Sequence, residues 1–261
     1  MSITSYPTVI SGASGAEAGI PFYLQVAQGT IEGYSNVSKF GRNPTVGSSD
    51  YESIWEGSNA YPWQTVADQL EVLSSSANDT SAGTGARTVE LQGLDSSWNL
   101  LTETVTMNGT AAVTTTGSFL RIFRARVVTG GTSLRNEGDI TIRDQDTSTT
   151  RALITNGTAS GMGQTLMAVY TVPAGKTAYL INFDFSSAKD QEQRYRLMAR
   201  DNSVTDASWN VKEFASGRGG FSDFKKWAIQ SYGEKTDLDL QVISNSTSAA
   251  AGGFELILVD N

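Results

Sequence analysis

The stretch that decides the fold is Tyr170–Ser186, YTVPAGKTAYLINFDFS. Two apolar alternating runs meet at Pro173-Ala174-Gly175-Lys176. Residues two apart lie on one face of an extended chain, so each run reads as a strand with one face to bury. In the second run Tyr179, Ile181, Phe183 and Phe185 are expected to share a face, opposite Leu180, Asn182 and Asp184. Pro173 presets φ for a turn, and Gly175 can take the positive-φ position.

The same pattern extends outward from this stretch. "TVELQGLD" (88–95) sets Val89 and Leu91 against Glu90 and Gln92. "WNLLTETVTM" (98–107) runs into the turn signal Asn108-Gly109, and "FLRIFRARVV" (119–128) places Phe119, Phe123, Ala125 and Val127 on one face. "GDITIRD", "RALITNG", "RYRLMAR", "WNVKEFA", "DLDLQVIS" and "GFELILVD" continue the series. Phe22, Leu24 and Val26 read as one face of an early strand. A helix through Trp63, Val66, Leu70 and Leu73 has the right spacing but no C-cap, so a short strand is preferred there.

Roughly a dozen short strands predict an all-β chain: a jelly-roll-like antiparallel sandwich, with residues 1–21 as an arm, 22–156 as a first lobe and 157–261 as a second, the lobes either stacked or one continuous β domain. "LQGLDSSWN" (91–99) and "LMARDNSVTDASWN" (197–210) echo one another, each running from a strand through an Asp-containing turn to Ser-Trp-Asn. Turn–strand grammar repeats by itself in β proteins, which is the plainer reading.

Composition narrows the function. The 261 residues hold 39% hydrophobic and 18% charged residues, a globular balance. There is no Cys and no His, which removes disulfides, thiolate chemistry and imidazole-based triads. A net charge of −8 opposes a nucleic-acid partner. No Lys or Arg precedes Lys39, and no apolar run approaches a membrane span. The triplets at Asn36, Asn78, Asn108, Asn156 and Asn245 fit chance in a chain rich in Ser, Thr and Asn.

Candidate sites are few. Arg194, Arg196 and Arg200 lie on one face of a strand and could fork onto carboxylates of a neighbouring subunit, with Arg124 and Arg126 as a shorter version. Tyr51, Trp55, Tyr61 and Trp63 could stack on sugar rings, or plug one end of the sandwich, which is the preferred reading. Asp50, Glu52 and Glu56 beside them offer a carboxylate pair for glycan cleavage, although any acidic chain supplies such groups. The D-x-D pairs Asp144/Asp146 and Asp237/Asp239 are read as solvated strand-face carboxylates in preference to a calcium site. No catalytic residue, metal or cofactor is expected.

Three long phrases carry a resemblance: FYLQVAQGTIEGYSNVSKFGRNP (22–44), SSSANDTSAGTGARTVELQGLDSSWNLLTETVTMNGT (74–110) and GMGQTLMAVYTVPAGKTAYL (161–180). Together they resemble a family of virion structural proteins of tailed double-stranded DNA phages, common among phages of aquatic bacteria. The resemblance covers most of the chain from Phe22 to about Leu180, in motifs that are long and free of gaps; beyond Ile181 only the strand pattern continues it. It implies a virion structural protein with no catalytic residues to carry over, and leaves its place in the virion open; a non-enzymatic homotrimer or another symmetric oligomer is expected, assembled in the host bacterial cytoplasm, with itself and the major capsid protein or other virion proteins as partners. A capsid decoration or cement role is the leading expectation. A tail, baseplate or head-fibre part binding host glycans is the alternative, and a virion-borne glycan hydrolase a third.

Overall fold

The computed structural model describes residues 20–156, 162–225 and 229–261; most of the expected arm, residues 1–19, lies outside them. In chain order these residues form helix α1 (Phe22–Ala27) and the strands β1 (Tyr34–Val46), β2 (Glu52–Ser53), β3 (Asp68–Ser74), β4 (Ala86–Leu94), β5 (Leu100–Thr106), β6 (Val113–Phe119), β7 (Arg121–Gly130), β8 (Ile140–Asp144), β9 (Thr150–Ile154), β10 (Val169–Thr171), β11 (Lys176–Asp201), β12 (Asn210–Lys225), β13 (Ser231–Tyr232), β14 (Thr236–Ser244) and β15 (Ser248–Asp260). Every strand pairing is antiparallel. The protein is all-β, a sandwich, as its alternation predicts.

Three sheets enclose two cores. A four-stranded sheet (β6-β3-β8-β9) and a three-stranded sheet (β5-β4-β7) supply most of one core, around Leu70, Val72, Leu91, Phe119, Ile122, Ile140 and Ile142. The third sheet has the order β1-β15-β11-β14-β10, with β12 and β13 also on β11 and β2 on β14. Its core holds Leu180, Phe183, Phe185, Tyr195, Leu197, Leu240, Phe254 and Leu256.

This large sheet folds over on itself. β11 pairs β15 through residues 176–187 and β14 through 193–201, and β12 follows it along the other side with a register break between Ser187 and Glu192. Ten extended residues would span about 33 Å, yet the Phe185 and Tyr195 rings stack with centroids 4.1 Å apart, and the Tyr195 hydroxyl donates to the Ser186 carbonyl (3.0 Å). The strand therefore turns a corner between two layers. On β12 the corner falls at Gly219 (φ +63°) and Gly220 (φ +75°), conformations that favour glycine.

Several expectations are corrected. "TAYLINFDF" and "RYRLMAR" are the two halves of β11. A bulge at Ile181, where Leu180 pairs with Leu256 but Asn182 with Glu255, reverses the alternation, so Ala178 and Leu180 face the core before it and Phe183 and Phe185 after it. The turn at Pro173–Lys176 does put Gly175 at φ +72°, but it joins β10 and β11, which pair with β14 and not with each other over this stretch. Phe22–Ala27 is helical: Pro21 leads the chain in, Val26 is buried, and the Phe22 ring meets Tyr34 edge-on at 5.6 Å. "FLRIFRARVV" is split at Leu120, where the chain leaves the four-stranded sheet for the three-stranded one. Gly109 takes φ +63°, but the turn links β5 and β6 of different sheets. The large sheet draws strands from both sides of residue 156, since β1 pairs β15 and β2 pairs β14.

Candidate functional site

The densest polar cluster lies where the small sheets meet the large one, and its centre is Asp237 on β14. β14 is buried on both faces over Thr236–Leu240, Asp237 and Asp239 share one of them, and both are buried. Arg121, at the start of β7, donates Nε and Nη2 to the two Asp237 oxygens (2.9 and 3.0 Å) and Nη1 to the carbonyls of Gln64 (2.7 Å) and Leu120 (2.9 Å). Arg200 of β11 donates from Nη2 (2.7 Å), Asn202 from Nδ2 (2.8 Å) and Thr171 from Oγ1 (2.6 Å). One buried carboxylate thus accepts five hydrogen bonds from four side chains. Two of those side chains are arginines, leaving the cluster one net positive charge.

Tryptophans close the cluster. Trp98, held at φ +66° in the β4–β5 turn, lies 4.9 Å from the Arg121 guanidinium, and Trp209 lies 4.7 Å from that of Arg200. Trp63 touches both sides, 5.4 Å from Arg121 and 5.4 Å from the Trp209 ring. The two Ser-Trp-Asn echoes therefore converge, each tryptophan covering one arginine of one carboxylate. Beside them opens a cleft of about 490 Å³ lined by Gln64, Val66, Trp98, Arg121, Arg200 and Asn202.

Asp239, two residues along β14, accepts from Ser53 Oγ (2.9 Å) and Gln241 Nε2 (2.8 Å). Burial dominates and pushes its carboxyl up to about 6, while the hydrogen bonds from Gln241 and Ser53 oppose the shift. Lys39 of β1 crosses the same junction: its ammonium donates to the Phe123 carbonyl, and burial, then Arg124, hold its pKa well below the usual lysine value. These contacts make the junction a fixed joint between the two cores.

The structure separates the candidate residues. Arg194, Arg196 and Arg200 do not form one free stripe: Arg194 is exposed, Arg196 lies 3.8 Å from the Tyr51 ring and donates to Gln241 (2.9 Å), and Arg200 serves Asp237. Arg124 donates to the Ser38 carbonyl (2.6 Å), and Arg126 pairs with Glu90 (2.9 Å). The aromatic platform is corrected as well. Trp55 and Tyr61 are buried in the smaller-sheet core, and Trp55, Tyr61 and Trp63 meet edge to face at 5.2 and 5.0 Å, which leaves no row of open ring faces for a sugar. Glu52 ties a turn, accepting from Asn43 Nδ2 and the Gly47 amide (both 2.8 Å), and Glu56 is buried 3.7 Å from Arg42. Nor are the Asp pairs solvated: Asp144 is buried under Arg151, and only Asp146 of the four is exposed. Among the described residues no group of three or more acidic side chains is placed to hold a metal ion.

A second surface escaped the sequence reading. β12 pairs β11 on one edge, and no other strand pairs its second edge among the described residues. None of its described residues is buried, and it exposes Val211, Phe214 (59%) and Phe221 (67%). Long, apolar, open edges are templates for pairing with another chain.

Comparison with known proteins adds no family. No family model matches the sequence, and neither does any curated protein. Among solved structures, one similar chain is the CBM22-1–GH10 portion of the Clostridium thermocellum endo-1,4-beta-D-xylanase 10B complexed with xylohexaose (12% identity, TM-score 0.22, 49% of this chain and 23% of that one). Another is a Bacillus thuringiensis Cry1Da tryptic core variant (11%, 0.19, 75% and 51%), and a third the Infectious Bursal Virus derived T=1 particle (12%, 0.18, 88% and 70%). The chain spans less than a quarter of the xylanase chain's length, and similarities this low carry no argument about fold or function.

Proposed function

We propose that this chain is a non-enzymatic virion structural protein of a tailed phage, placed on the capsid surface as a decoration or cement component that stabilises the shell through subunit contacts. The observation that carries the reading is β12, a 16-residue strand with an open edge and exposed Phe214 and Phe221. An edge of that length suits a protein whose working surface is another protein. Two features support it. The Arg121–Asp237–Arg200 cluster spends its charges inside the molecule and fixes one core against the other, as a load-carrying part requires. The resemblance of residues 22–180 to virion structural proteins points the same way.

Homotrimer assembly and contact with the major capsid protein belong to this proposal, as does a reaching role for residues 1–21. The test is the copy number of the protein in purified virions, by quantitative mass spectrometry against the major capsid protein. Near-equal stoichiometry supports a shell component. A small fraction of that number moves the protein to the tail or a fibre, and absence from the particle overturns the virion reading.

A further inference from the structure

The cleft beside Trp98 holds polar groups that the junction does not use. Its volume, about 490 Å³, falls within the roughly 300–1,000 Å³ of small-ligand pockets. We infer that it binds a sugar bearing a carboxylate, a uronic acid unit of an acidic polysaccharide, with the acid on Arg200 and the sugar ring beside Trp98.

Arg121 and Arg200 both line the cleft, in different states. Arg121 is engaged at every nitrogen, by Asp237 and two backbone carbonyls. Arg200 donates to Asp237 from Nη2, and its Nε is buried with no partner among the described residues. A buried donor without an acceptor is costly, so this guanidinium has bonding capacity left for an incoming anion. It is also held in place already, by Asp237 and by the Trp209 ring 4.7 Å away, so little side-chain freedom is lost when an acid binds. The second buried carboxylate, Asp239, is taken up with Ser53 and Gln241. Because the whole chain carries a net charge of −8, bulk charge does not draw a polyanion to it, and binding requires a specific cation.

The other walls suit a sugar ring. Thr65 and Ser96 are exposed there, and their hydroxyls can donate or accept. Asn202 has Nδ2 tied to Asp237 and to the Lys235 carbonyl (both 2.8 Å), so Oδ1 is the group it can offer a ligand hydroxyl. Trp98 adds a half-buried indole at φ +66°, a conformation rare for a bulky residue and concentrated at ligand clamps. Its turn is fixed by Asp95, which accepts from the Ser97 and Asn99 amides (2.8 and 2.9 Å). A pyranose presents hydroxyls at its edge and C–H groups on its face, and so meets both kinds of wall. A wholly apolar ligand would leave the polar groups stranded.

This site goes beyond the subunit-contact role and does not rest on it, so its test is separate from virion copy number. Isothermal titration calorimetry on the purified full chain is run with galacturonate and glucuronate trisaccharides. One of the two is expected to bind saturably, about tenfold or more tighter than the neutral galactose and glucose trisaccharides. Arg200→Lys keeps a cation beside Asp237 but removes the spare guanidinium donors, and should bring the acid's affinity down about tenfold, towards that of the neutral sugar. Ser96→Phe changes an exposed residue and fills the cleft, so it should abolish binding with the circular dichroism spectrum unchanged. No binding of either acid, equal affinity for the neutral sugars, or binding that survives Ser96→Phe or is indifferent to Arg200→Lys overturns the inference. An acetylated glutamate tripeptide that binds as tightly as the sugar acids overturns it too, and makes the cleft a protein contact.

Discussion

Asp237→Asn is the most searching test of the junction. The substitution keeps the shape of the side chain but removes the charge that Arg121 and Arg200 both face. Arg121 is 4% exposed at its side chain and cannot turn to water, so a buried cation is left without its counter-ion. The amide nitrogen also replaces one acceptor oxygen, and donors now converge on a donor. Breaking a buried ion pair from one side costs about 3–5 kcal/mol, and at about 2–4 °C per kcal/mol for a chain of this size the midpoint should fall by roughly 6–20 °C. Arg121→Met should cost less, on the order of 1–3 kcal/mol, because Asp237 keeps Arg200, Thr171 and Asn202. Urea unfolding followed by tryptophan fluorescence suits the question, since Trp63, Trp98 and Trp209 surround the arginines. A loss under about 1 kcal/mol for Asp237→Asn, or a larger loss for Arg121→Met, would refute the reasoning.

Two further changes test neighbouring features. With its folded carboxyl pushed up to about 6 by burial, against about 3.9 unfolded, Asp239 makes the native chain bind more protons between those values, so stability falls as pH rises through that window. Asp239→Asn should flatten this dependence and raise stability at pH 7, by up to about 2–3 kcal/mol; urea midpoints measured from pH 4 to 7 that keep the original slope would count against it. Gly41→Ala would place a methyl 2.2 Å from the Ile54 carbonyl oxygen and 2.6 Å from the Ala168 amide, which hydrogen bond to each other at 2.9 Å. Neither backbone atom can yield cheaply, and a thermal melt should show a loss of about 1–3 kcal/mol or more.

Much of the fold was legible because half-buried strands alternate. Val89 and Leu91, the positive φ of Gly175, and the inward Tyr195, Leu197 and Ala199 follow from spacing alone. What escaped is set by partners distant in sequence. The bulge at Ile181 exists because β15 pairs across it, and a shift of one residue exchanges the faces of a strand. Six residues at Phe22 are too few for alternation to tell a strand from a helical turn and a half. The junction was the least legible part. Trp98 and Trp209 stood out in the sequence, but the carboxylate beneath them is 116 positions from Arg121, and nothing local marks Asp237 as buried.

The pairing of β1 with β15 has a consequence for biogenesis. All strands of the four- and three-stranded sheets lie between Asp68 and Ile154, so those sheets can assemble once that stretch has left the ribosome. Tyr34, however, pairs with Val259, and its strand has no sheet partner until β15 has been translated. Contacts of such long sequence separation form late and slowly. While β2 to β14 are being made the chain therefore carries Tyr34–Val46 as an unmatched ribbon, and translation of the thirteen-residue β15 completes the large sheet.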